Sequence, residues 1–173
     1  MKTKLKILAV KVERKVDEQP DTSHSGEYTD DATDWAIDRN SGEYLGLMPS
    51  DAEWTPKGRE FRFFKPYAGG EPEGTAAYRE YGKQDFQRME SLQRGEWCFI
   101  GIIAKAEVWN SVTKVTQVVR SGGLWGIESD SDKDYLQSVG ADELENLRSE
   151  LLALGFGERA IEHAFKTVET VNS

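Results

Sequence analysis

The stretch SGGLWGIESDSDKDYL, residues 121–136, gathers residue types that can do chemistry. Glycines and Trp125 lead into Glu128, Asp130, Asp132 and Asp134, and spaced carboxylates are the hard oxygen ligands that calcium and magnesium take. Asp130-Ser131-Asp132-Lys133-Asp134 matches the first five positions of an EF-hand calcium loop, and there the match ends. The sixth position of such a loop is glycine and the twelfth a bidentate glutamate; here they are Tyr135 and Ala141. Strand-like LWGI also stands where a helix would precede the loop. A helix start explains the same acids. Asp130 or Ser131 accepts the open N–H groups of the first turn, and Asp132 and Asp134 favour the positive end of the dipole. The expectation is a helix cap without a bound metal. A metal-dependent enzyme using Glu128, Asp130 and Asp132 is the alternative.

A second stretch, KGREFRFF at residues 57–64, is similar in part to the strand on which RNA-recognition motifs stack bases. Lys57, Gly58, Phe61 and Phe64 agree with that pattern; Arg59 replaces one stacking ring. The simpler reading is an amphipathic strand with its basic residues outward. Lys57, Arg59, Arg62 and Phe63 then form the place for any nucleic-acid or other anionic ligand. The two histidines, His24 in an acidic loop near Asp21 and Glu27 and His163 on a C-terminal helix, give no zinc-binding cluster. Cys98 falls in an apolar run and reads as buried. Neither a G-x-S-x-G elbow nor a Walker loop occurs. No motif supports an enzyme, and no cofactor is expected.

Composition sets the frame. The 173 residues, 38% hydrophobic and 10% aromatic, suit one folded domain with a real core. A single cysteine excludes an internal disulfide framework and fits a reducing compartment. The basic start MKTKLKILAVKVERK has too short an apolar run for a signal peptide, and no run approaches a membrane span. The expected location is the cytoplasm. The net charge of −9 is unevenly placed. Residues 17–38 hold eight acids and no Lys or Arg; residues 128–150 hold eight acids against Lys133 and Arg148. Such stretches repel phosphate backbones, so direct nucleic-acid binding is disfavoured and a basic protein surface becomes the natural partner.

The elements that must hold these residues follow from periodicity. Residues 4–16 alternate as a strand, with Val10, Val12 and Val16 on one side. Residues 17–33 read as a polar loop. Trp35–Asp38 and Glu43–Leu47 read as a hairpin around Arg39-Asn40-Ser41-Gly42, and REFRFFKPY as a strand ended by Pro66. A helix over 75–94, capped by Thr75, presents Tyr78, Tyr81, Asp85, Met89 and Leu92, with Phe86 beside them. Residues 97–109 read as a central strand, followed by strands at 114–121 and around GGLWGIES. From Asp132 helices follow. One stops at Gly140; a second carries Leu144, Leu147, Leu151 and Leu154 and closes at Gly155-Phe156; the last uses Ile161, Phe165 and Val168. The expected class is α+β: a mostly antiparallel sheet, one helix inserted between sheet segments, and a helical C-terminal third. No repeat or linker divides the chain, so residues 1–173 are expected to form a single domain, strand-rich over 1–128 and helical over 131–170.

Several strings together carry a resemblance: PDTSHSGEYTD, AIDRNSGEYLG, YGKQDFQRMESLQRGEWCFIGIIAKAEV, SGGLWGIESDSDKDYL and LRSELLALGFGERAIEHAFKTVE. In this order they resemble a family of small, functionally uncharacterised proteins encoded by bacteriophages and bacterial mobile elements. The likeness is most specific at residues 81–107 and 121–136. It implies a gene product working inside a bacterial host cell, and it carries over no catalytic residue. Origin and charge together lead to the expectation of a non-catalytic protein that binds a host or phage protein, as an inhibitor of restriction or CRISPR-type defence does. Its partner-binding residues would be Asp21, Glu27, Asp30, Asp31, Asp34, Glu128, Asp130, Asp132 and Asp134. Nucleic-acid binding through strand 57–67 is the other reading.

Overall fold

The computed structural model describes residues 5–48 and 60–172. In chain order its elements are β1 (Leu5–Val16), β2 (Gly26–Thr29), β3 (Ile37–Asp38), β4 (Phe63–Pro66), α1 (Ala76–Gln93), β5 (Phe99–Asn110), β6 (Val115–Arg120), β7 (Leu124–Glu128), α2 (Lys133–Ala153), α3 (Glu158–Ala164) and β8 (Val168–Asn172). The chain groups into two compact units. Unit 1 is Met1–Pro20 with Trp97–Ser173; unit 2 is Asp21–Glu96. Among the described residues no helix is long and apolar enough to cross a membrane.

Unit 1 is built on β5, the longest apolar run of the chain. β1 pairs antiparallel along one side of it; β7 pairs its first half and β6 its second half on the other. β8 extends the sheet beyond β1, in parallel. Alternation then sorts the side chains. Val10, Val12, Ala104 and Ala106 face α2 and α3, where Leu136, Leu147, Leu151 and Ile161 complete the core. Lys11, Glu13, Lys105 and Glu107 line the opposite face, with ion pairs Lys11–Glu107 (3.4 Å) and Lys105–Glu13. Residues 21–96 leave after β1 and return before β5, and the Asp17 N–H donates to the Phe99 carbonyl (2.9 Å) where the two strands meet.

Unit 2 is a three-stranded sheet, β2-β4-β3, with α1 against it. Thr75 caps α1 as expected, its hydroxyl accepting the Tyr78 N–H at 3.1 Å. The buried stripe of α1 is Tyr78, Gly82, Met89 and Glu90, with Phe86 half-buried; Tyr81 is 44% exposed and lies off it. The stripe turns because Tyr44 lies against Gly82 and donates its hydroxyl to the Tyr78 and Arg79 carbonyls (3.2 and 3.3 Å). A Cβ at Gly82 would overlap that hydroxyl and come within 2.8 Å of Pro66 Cγ.

Several expectations need correction. The loop at 17–33 contains β2, four residues too short to show a period, which forms because β4 offers it a partner. Of the 35–47 hairpin only Ile37–Asp38 is strand. Ile37 bridges Tyr44, but β3 takes β4 as its ladder partner, and Leu45–Leu47 turns as a 3-10 helix. Gly140 does not stop a helix; α2 runs through it, since glycine weakens a helix without forbidding it and packing on both sides supports the turn. Leu154 is 53% exposed and off the stripe. Val168 begins β8, so the C-terminal third is not wholly helical: the valines of VETVN add to the edge of β1. The Schellman close is present. The Phe156 N–H bonds the Leu151 carbonyl (3.1 Å), the Gly155 N–H bonds that of Leu152 (2.9 Å), and Gly155 takes φ 87°.

Gly82 gives a test of the packing in unit 2. Alanine normally stabilises a helix interior relative to glycine. Here Gly82→Ala lowers unfolding stability by about 1–3 kcal/mol through overpacking, read as a lower urea midpoint; a higher midpoint would contradict the Tyr44 contact.

Candidate functional site

The acidic segment of unit 2 displays its carboxylates from a backbone held at several points. Asp21, Glu27, Asp30, Asp31 and Asp34 are all exposed. Asp21 accepts the Ser23 N–H at 3.0 Å. Its carboxyl is held below the usual range, first by the Ser23 side chain, then by the Ser23 N–H, with the His24 charge adding to them. Glu27 lies on β2 opposite Lys65 of β4. Asp30 accepts the Arg62 N–H at 3.1 Å, the Asp31 N–H donates to the Thr29 hydroxyl (3.0 Å), and the Asp34 carbonyl accepts the Gly46 N–H (2.9 Å). Among the described residues none of these five makes an ion pair with Lys or Arg.

One buried ion pair positions this segment. Arg39 donates its Nε–H to Glu90 of α1 (2.8 Å) and its Nη1–H to the Phe61 carbonyl (3.0 Å), and its guanidinium lies 4.1 Å from the centre of the Tyr28 ring. The two charged side chains are 9% and 11% exposed. A single side chain thereby joins β2, the approach to β4 and α1. Asp38 beside it is buried and accepts the N–H groups of Asn40 (3.3 Å) and Ser41 (3.1 Å), which shapes the DRNSGE turn. Sequence reasoning missed the pair, although a signal existed: Glu90 falls on the apolar stripe with Phe86 and Met89, where a carboxylate needs a partner.

The half-buried carboxylate of Asp85 holds an unusual backbone. Ala68 is fully buried with φ 52°, followed by Gly69 and Gly70 with φ 64° and 78°. Its N–H donates to Asp85 at 2.7 Å. Burial pushes the Asp85 carboxyl up, against the Ala68 and Tyr67 amides and the His24 charge, which pull it down.

In unit 1 the acids of residues 128–134 serve the entry to α2. The Ser131 N–H bonds the Glu128 carbonyl (3.0 Å), and Cys98 and Ser129 exchange bonds, N–H to hydroxyl (2.9 Å) and N–H to carbonyl (2.8 Å). The capping residue is Asp132, accepting the Asp134 N–H at 2.8 Å; Asp130 and Ser131 precede it, outside the capping position. Asp134 sits in the first turn, where its charge suits the dipole. Asp130, Asp132 and Asp134 are exposed and Glu128 is half-buried. Further along, Glu143 turns inward and accepts the Gly123 N–H (2.9 Å) and the Asn146 amide (3.2 Å). Among the described residues no three of His, Cys, Asp and Glu are placed to hold a metal ion.

The basic strand fits its proposed role less well. Lys57 and Arg59 lie outside the described residues. Phe63 is 3% exposed, with the Arg62 guanidinium 5.4 Å from its ring centre, so that ring offers no open face for a base. Cys98 is half-buried rather than fully covered, and His163 is exposed. Compared with protein-family models, curated proteins and solved structures, the chain matches none.

Two tests follow from this geometry. Removing one member of the buried pair, by Arg39→Ala or Glu90→Ala, costs about 3–5 kcal/mol, whereas the double change Arg39→Met/Glu90→Leu costs far less, because no lone charge stays buried. Denaturant titration of the three variants checks this. For Asp85, a folded-state pKa above the usual 3.8 means that ionisation costs stability at neutral pH, a cost absent below that value. Asp85→Asn keeps an acceptor for Ala68 and sheds the charge. Its stability relative to the native chain is therefore highest near neutral pH and declines as pH falls towards 3.8, measured as thermal midpoints across that range.

Proposed function

We propose that this chain is a non-catalytic interaction protein, made by a bacteriophage or another bacterial mobile element, that binds a basic surface on a host or phage protein. It works in the cytoplasm of the host cell, and its target belongs to the nucleic-acid-handling proteins of restriction or CRISPR-type defence. The observation that carries this reading is the display of Asp21, Glu27, Asp30, Asp31 and Asp34. Their carboxylates are exposed without an ion-paired neighbour among the described residues, while hydrogen bonds hold the backbone beneath them. Carboxylates fixed in this way present charge where phosphates would lie, and little ordering entropy is left to lose on binding. Asp130, Asp132 and Asp134, with Glu128 at the end of β7, offer a second acidic surface on unit 1. The nucleic-acid alternative finds less support, since Phe63 is spent in the core and the flanking acids repel phosphate.

The test is capture from host lysate by the native chain and by a variant with Asp21, Asp30, Asp31 and Asp34 changed to Asn and Glu27 to Gln. The native chain captures a partner at low salt, loses it as salt screens the contact, and the neutralised variant associates at least about tenfold more slowly. Capture that is equal for the two proteins and indifferent to salt would refute the acidic surface.

A further inference from the structure

We propose that the outer side of β6 in unit 1 is a docking edge, which takes an extended acidic segment of another protein as an added antiparallel strand. β6 ends the path β6-β5-β1-β8 of its sheet, so only one of its two sides is paired. The Ser121 N–H donates to the Ala104 carbonyl of β5 (2.9 Å), which sets the phase of the ladder. At a period of two, Val115, Gln117 and Val119 turn their backbone groups to β5, while Thr116, Val118 and Arg120 turn theirs outward. Among the described residues no other group bonds these outward N–H and C=O groups. They are the donors and acceptors that strand addition uses.

Edge strands are commonly blunted by a bulge, a proline or a charge in mid-strand. β6 has none of these. Its register against β5 runs from Val115 to Arg120 without a shift, whereas β1 and β7 both pair β5 through an irregularity. Val115 and Val118 are 50% and 48% exposed, so the edge also offers apolar side chains to a neighbour. Charge selects the occupant. Residues 108–127 hold Lys114 and Arg120 and no acid, in a chain whose net charge is −9. Among the described residues neither cation has an ion-paired or hydrogen-bonded partner. They stand at the two ends of the strand, so a segment lying along it meets both. A second copy centred on the same edge would set each Lys114 opposite the Arg120 of the other chain, and like charges directly opposite destabilise a ladder. A segment with a carboxylate near each end and apolar residues between them matches instead. This edge is independent of the acidic surfaces of the proposed function, which take a basic partner.

The probe is a blocked peptide of about seven residues, valine and threonine alternating between terminal aspartates, long enough to span β6 and its flanks. A counterpart ends in lysines. Fluorescence anisotropy of each peptide against the full chain at low salt reads the binding. The aspartate peptide binds at least about tenfold more tightly than the lysine peptide. Hydrogen exchange adds a readout specific to the edge: the amides of Thr116, Val118 and Arg120 exchange fast in the free protein and slow down with the aspartate peptide. Val118→Pro removes a donor that bonds nothing in the sheet, so it is tolerated at this edge and weakens the peptide at least about tenfold. Should that variant fail to fold, Lys114→Glu/Arg120→Glu decides, because it reverses the preference in favour of the lysine peptide. No binding of the aspartate peptide at about 1 mM would overturn the proposal. So would unprotected Thr116 and Val118 amides in its presence, or a preference unmoved by the charge reversal. A dimer of the free chain that Val118→Pro dissolves would overturn it too, by giving the edge to a second copy.

Discussion

The antiparallel ladder between β1 and β5, from Leu5 opposite Asn110 to Val16 opposite Ile100, decides which way every residue of the unit 1 sheet points. Because strand side chains alternate, a slip of β1 by one residue against β5 would turn Val10 and Val12 to solvent and bring Lys11 under the helices, away from Ala104 and Ala106. The register is therefore fixed by burial, and the cross-strand ion pairs on the other face agree with it. One consequence is that Arg14 lies on the helix side. Another is that β1 and β5 come together where residues 21–96 depart and return, so the insertion closes on a paired strand end rather than on a long open loop. A bulge at Leu8 interrupts the ladder only near its start.

Unit 2 has a smaller sheet and depends more on polar contacts. Arg39 meets Glu90, the Phe61 carbonyl and the Tyr28 ring at once, and Tyr44 donates to two carbonyls of α1. In a low dielectric such contacts are directional, and their loss leaves buried groups unsatisfied. They specify how β2, β4 and α1 meet, and so fix the backbone from which Asp21 to Asp34 project. The aromatic neighbours Tyr28, Phe64 and Phe86 fill the space around this framework at ring-centre distances of 5.3 and 5.8 Å. Stability and the layout of surface charge are thus coupled through a few interior side chains.

Long periodic segments were legible in the sequence. β1, β5, α1 and the glycine close of α2 follow from alternation, stripe and cap residues that act locally. The missed elements are those created by a distant partner. β2 and β8 are short and gain strand geometry only beside β4 and β1, so GEYT looked like loop and Val168 like helix. Gly140 misled for a different reason: local propensity marks it as a stop, while Leu136, Val139 and Leu147 on either side bury enough surface to carry the helix through. The acids after Trp125 were readable as a helix start, with the cap displaced to Asp132. The Arg39–Glu90 pair joins residues 51 apart and is not visible along one stretch of chain.

Native-state hydrogen exchange on the full chain reads the ladder directly. If the β1–β5 register governs unit 1, the paired amides of Val10–Val12 and Ile102–Ala106 are its slowest to exchange, opening only with global unfolding. The outer strands β6 and β8 open earlier. Exchange of the β5 amides as fast as those of β6, under conditions where the unit stays folded, would contradict the account.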